Sequence, residues 1–120
     1  MIHSTPKVNL LVLRVTDLEK SEDFYQKLGM SFNKHSHGDG PVHLSYENDG
    51  FVFELYPLKD GAQPTISTRI GFQVDDVDQY IKTCEEDGID IVSYPKETEW
   101  GRRTVIKDPD GHVIELVSES

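Results

Sequence analysis

The sequence predicts an α+β fold in which one βαβββ unit is used twice. Three observations predict it. Leu13-Arg14-Val15-Thr16-Asp17-Leu18 recurs as Phe72-Gln73-Val74-Asp75-Asp76-Val77 at an offset of 59 residues. Leu28-Gly29 and Asp87-Gly88 each fall at the same distance beyond the matched valine, where a helix should end. DGFVFEL at residues 49–55 recurs as DGHVIEL at 110–116, each a turn dipeptide followed by apolar β-formers around one glutamate, Glu54 or Glu115. The 120 residues then form one domain, 1–120, with a first module at about 6–60 and a second at about 66–119.

Each element has its own signal. Val8 to Val15 is β-branched and leucine-rich, hence a strand. Thr16-Asp17-Leu18-Glu19 reads as a capping box with Thr16 as the N-cap. Leu18, Phe24 or Tyr25, and Leu28 make an apolar stripe at helical spacing, closed by Gly29. In the second copy Asp75 or Asp76 caps a helix running to about Glu86. Further strands are expected near 31–37, 42–47, 51–57, 68–74, 90–95, 102–107 and 112–118, with Gly61-Ala62-Gln63-Pro64-Thr65 as the linker.

A glutamate inside an apolar strand is costly unless it is paired or bound. Alternation puts Glu54 and Tyr56 on one face and Phe51, Phe53 and Leu55 on the other, which packs under the helix. A two-residue turn at Asp49-Gly50 sets His43 and Ser45 on the glutamate's face. The same turn at Asp110-Gly111 would set Arg102, Thr104 and Ile106 on the face of Glu115, with Thr104 as the counterpart of His43. Arg103 then points away.

Bulk properties exclude several functions. A formal net charge of −10 argues against nucleic acid and against an anionic membrane surface. No apolar run approaches the ~18 residues that span a bilayer. One cysteine forms no internal disulfide and suits a reducing cytoplasm; Cys84, at helical spacing from Val77, Tyr80 and Ile81, reads as a core residue.

The segments Leu11 to Tyr25, Gly71 to Asp78 and Asp108 to Leu116, together with the doubled unit, resemble the vicinal oxygen chelate superfamily of glyoxalase I, bleomycin-resistance proteins and extradiol dioxygenases. The stretch from His37 to His43, with Phe53 to Pro57 and Trp100 to Arg103, is similar to a glyoxalase-like subgroup of small members. The resemblance implies two modules curled around a cleft in a homodimer. In the metal-dependent members four ligands come from the first and last strand of each module. The resemblance places them at Leu10, Glu54, Arg69 and Glu115. Leucine has no lone pair and arginine is a donor only, so the usual four-ligand site is missing.

Two readings follow from the resemblance. In one, no cofactor is bound: Arg69 replaces the metal's charge beside Glu54, Glu115 or both, and the cleft binds a small anionic or aromatic molecule, with Tyr56, Trp100, Arg102 and His37 as further contacts. In the other, His43 with Glu54 and Glu115 holds zinc, nickel, manganese or iron, and a lyase, isomerase or dioxygenase uses Glu54 or Glu115 to move a proton. His35 and His37 offer a further pair on one strand.

Overall fold

The computed structural model describes residues 6–36, 38–59 and 61–119. The first module contains β1 (Leu10–Val15), α1 (Leu18–Lys27), β2 (Asn33–His35), β3 (His43–Asn48) and β4 (Phe51–Pro57). The second contains β5 (Arg69–Gln73), α2 (Val77–Glu86), β6 (Ile91–Thr98), β7 (Gly101–Lys107) and β8 (Val113–Ser118). Each module is one four-stranded sheet, ordered β1-β4-β3-β2 or β5-β8-β7-β6, with a parallel first pair.

The repeat holds at the level of single residues. Leu10 pairs with Val52 and Val12 with Glu54; Arg69 pairs with Val113 and Gly71 with Glu115. The glutamates occupy equivalent places.

Some local expectations need correction. The N-cap of α1 is Asp17, whose carboxylate accepts the Lys20 N–H at 3.1 Å. The Thr16 N–H instead donates to the Asp110 carboxylate, 3.1 Å away. Asp76 caps α2, accepting from Asp78 and Gln79. β2 is shorter than expected, and β6 runs on to Thr98, so Lys96 and Glu97 belong to a strand rather than a loop.

Alternation is clear where a strand covers the core. Phe53 and Leu55 of β4 are buried, as are Ile114 and Leu116 of β8. With Leu13, Val15, Phe24, Tyr25, Ile70, Ile81 and Cys84 they form one core across both modules. Phe53 meets Tyr25 edge-on at 5.0 Å and Phe72 of the second module at 5.8 Å. Burial pushes the Cys84 thiol pKa up, so it acts as a small apolar side chain.

A buried polar network fastens the modules together. Asp108 Oδ2 accepts from the Tyr25 hydroxyl at 2.6 Å and from His112 Nδ1 at 2.7 Å. An ionised carboxylate only accepts, so Nδ1 carries the hydrogen. His112 Nε2 lies 2.8 Å from the Thr65 hydroxyl in the linker, which also accepts the Arg14 N–H at 3.2 Å. Helix, linker and β7–β8 turn thus share one set of hydrogen bonds.

Candidate functional site

Both glutamate-bearing sheet faces lie opposite the core, and their chemistry differs. On the first, the Asp49-Gly50 turn has both residues at positive φ, the two-residue form expected, and Ser45 pairs with Glu54. His43 therefore shares the glutamate's face, with its Nε2 3.8 Å from Glu54 Oε2. Its ring lies flat on Tyr56 at 4.2 Å and 7°, and His35 stacks beyond it at 5.7 Å. The Arg14 guanidinium covers Tyr56 at 4.8 Å. Arg14, Tyr56, His43 and His35 make a row across the sheet. His37 lies outside the described residues.

On the second face the expected register is off by one residue. Val105 pairs with Glu115 and Arg103 with Val117, so Arg103 and Val105 share the glutamate's face. Arg102, Thr104 and Ile106 lie on the other side, where Thr104 and Ile106 are buried. The cause is the turn. Asp108 Oδ1 accepts the N–H groups of Asp110, Gly111 and His112, and the Gly111 N–H closes onto the Asp108 carbonyl at 3.0 Å. The loop spans Asp108 to His112 instead of two residues, and a one-residue slip turns every β7 side chain over. Arg103, not Thr104, is the counterpart of His43. Arg102 is turned toward α2, where it grips Asp78 at 2.6 and 2.9 Å and leaves the candidate ligand contacts.

Glu115 is consequently held by two arginines. Its Oε2 accepts from Arg69 Nε, and its Oε1 accepts from Arg103 Nε at 2.6 Å, with Arg103 Nη2 in ion-pair contact with the same oxygen at 2.5 Å. The Arg69 guanidinium holds the Glu115 carboxyl below the ordinary carboxylate range; partial burial opposes this and Arg103 adds to it. Beside this cluster runs a groove of ≈ 490 Å³ lined by Gln73, Trp100, Glu115, Val117 and Glu119, among others. Trp100, in the β6–β7 turn, is 75% exposed. A larger groove of ≈ 780 Å³ between the modules, near Met30, Tyr46, Phe51 and Tyr80, is lined by neither glutamate.

The structure thus brings His43 to Glu54, and Arg69 to Glu115. The two glutamates sit on separate sheets, and Glu54 lines neither of the two grooves. Nor do the described residues contain a group of three or more His, Cys, Asp or Glu side chains positioned for a metal ion. The donor set at the four ligand positions does not fit the usual centre: Leu10 offers no donor atom and Arg69 is bonded to the glutamate beside it. Sequence reasoning missed Arg103 and the Tyr25–Asp108–His112–Thr65 network. The signal for both was Asp108-Pro109-Asp110-Gly111, which has aspartate, proline and glycine at the first, second and fourth places of a type I turn.

Two mixed sheets, each with one helix and an open glutamate-bearing face, define the class: a tandem βαβββ protein. The chain belongs to the Glyoxalase/Bleomycin resistance protein/Dioxygenase superfamily, whose family model matches residues 7–116. A probable lactoylglutathione lyase of Vibrio cholerae serotype O1 is 31% identical, over 88% of this chain and 86% of that protein. TnmS3, an antibiotic binding protein from Streptomyces sp. CB03234, is 30% identical with a TM-score of 0.76, covering 99% of this chain and 100% of that one. A glyoxalase/bleomycin resistance protein from the same source is 30% identical with a TM-score of 0.70, covering 92% and 99%. No helix of the described residues is long and apolar enough to cross a membrane.

Proposed function

We propose that the protein binds a small molecule at its glutamate-bearing faces and does so without the four-ligand metal centre of its metal-dependent relatives. Arg69 carries this reading: it stands at a ligand position and gives its guanidinium to Glu115, with Arg103 on the other oxygen. A divalent ion would have to displace two cations from that carboxylate. The likeness to an antibiotic binding protein supports a cleft that holds a molecule.

A homodimer belongs to the same proposal. In it the Glu54 face of one protomer meets the Glu115 face of the other. Exposed Val8, Leu10 and Val42 in the first module supply apolar surface for such a contact. The lone buried cysteine suits a cytoplasmic setting.

A second reading, a metal-dependent lyase, isomerase or dioxygenase at His43, Glu54 and Glu115, is favoured by the closeness of His43 to Glu54 and by the name of the Vibrio relative. It requires Glu115 to leave its arginines. Elemental analysis of protein purified without chelators decides between the two. The binding reading expects substoichiometric zinc, nickel, manganese and iron, unchanged in His43→Ala. One metal per chain, lost in that variant, would overturn it.

A further inference from the structure

Resting on the binding reading, we infer that the ligand is a small organic anion, a carboxylate or phosphate ester, taken by the unspent guanidinium donors of Arg69 and Arg103. Arg69 spends only Nε on Glu115, and Arg103 only Nε and Nη2. Both terminal nitrogens of Arg69 and the remaining one of Arg103 have no hydrogen-bond partner among the described residues. Glu115 therefore orients two guanidiniums without using up their donors, and two cations against one anion leave the cluster positive. Planar guanidinium groups are matched to the paired oxygens of carboxylate and phosphate.

The surrounding face agrees. Register places Lys96, Arg103 and Lys107 on the face of Glu115, with Arg69 across β8. Within the strands these four cations stand against Glu115 alone, with Asp90, Glu99 and Glu119 just beyond the strand ends. That reverses the balance of a chain with net charge −10. The face around Glu54 has the opposite sign, with Glu47 and Glu54 against Arg14. A steady field of one sign in one place raises the local concentration of the opposite ion. Trp100, bordering the groove with 75% of its surface exposed, offers an indole on which an aromatic body attached to the anion can stack.

The test uses a matched series: 2-naphthoate and 2-naphthyl phosphate as anions, 2-naphthamide as the neutral analogue, and 2-naphthamidine as the cation. Each is titrated into the intact protein by calorimetry. The anions are expected to bind at least about tenfold more tightly than the amide and amidine. The preference should disappear in Arg69→Gln and largely survive in Arg69→Lys, which keeps the charge. Whichever of the two anions binds better identifies the head group. Equal or tighter binding of the amide or amidine would overturn the anion inference and leave the binding reading intact. Absence of binding by every member of the series would also overturn it. The metal analysis above fails or succeeds independently of these outcomes.

Discussion

Replacing Asp108 with asparagine is expected to lower folding stability by about 3 kcal/mol in urea or guanidinium unfolding, with little change in the slope of the transition. Asp108 is 5% exposed, and its two oxygens are used by five donors: three backbone N–H groups on Oδ1, and Tyr25 and His112 on Oδ2. Asparagine keeps one acceptor oxygen and presents an NH₂ group where the other stood. If its oxygen serves the backbone turn, the NH₂ faces two donors in a site that water does not reach. Unmatched buried polar groups of this kind cost far more than the net worth of the bonds they replace. Tyr25→Phe removes one donor and leaves four, so about 1–2 kcal/mol is expected there. A loss below 1 kcal/mol for Asp108→Asn would refute the view that this network fastens the modules.

The same carboxylate sets an acid limit. Burial alone would raise the Asp108 pKa, but the hydrogen bonds from His112 and Tyr25 outweigh it and the net direction is down. Glu115 is also lowered, through Arg69 first. A carboxyl whose pKa is lower in the folded chain than in the unfolded one binds fewer protons when folded. Its contribution is complete above the unfolded value and is lost as pH falls through the folded value. Stability should therefore fall from about pH 5 downward. Asp108→Asn should flatten that part of the profile, because the group that titrates has been removed. Tyr25 moves in the opposite direction. Burial, reinforced by Asp108, raises its phenol well above the ordinary value, so the hydroxyl stays a donor throughout the working range.

The fold could be read from the sequence because several kinds of local evidence agreed. Helix-ending glycines, apolar alternation and the recurrence of DGFVFEL as DGHVIEL each pointed to the same doubled unit. The site was legible only in its first half. There, Asn48 and Phe51 flank a turn in which both central residues adopt positive φ, and counting outward from it places His43 beside Glu54. The second half looked identical over the Asp-Gly dipeptide, but Asp108 begins its turn two residues earlier. That side chain, not the dipeptide, fixes the register, and register decides which of Arg102 and Arg103 meets Glu115. A reading confined to the dipeptide exchanges a site arginine for one that serves α2. The Thr16 capping box failed for a related reason: Asp17 is an equally good cap, and the Thr16 amide is engaged by Asp110 from the other module, a long-range contact that no local pattern encodes. The pairing of Arg69 with Glu115 was foreseeable from charge alone, as one of its open alternatives. The second guanidinium required the register.

Gly101→Ala is expected to cost at least about 3 kcal/mol and to alter the surroundings of Trp100, the only tryptophan in the chain. Gly101 opens β7 with φ at +126°, a conformation that side-chain-bearing residues rarely adopt. A methyl group there would meet the Ser118 carbonyl oxygen at 2.4 Å and Val117 Cγ1 at 3.3 Å. The oxygen belongs to backbone, so relief requires β7 and β8 to separate at the edge that borders the Glu115 groove. The turn would shift with them: the Thr98 hydroxyl donates to the Gly101 carbonyl at 2.7 Å and accepts the Trp100 N–H at 3.2 Å. Gly50→Ala provides the comparison. Gly50 also has positive φ, at +84°, but an added methyl would meet nothing within 4 Å. It should cost only the conformational share, about 1 kcal/mol, and leave the Trp100 emission unchanged. A Gly101→Ala variant no less stable than Gly50→Ala, with native Trp100 fluorescence, would show that β7 and β8 can part there freely. In that event the groove wall would be a movable one, and the geometry of Arg103 on Glu115 would depend on what the groove holds.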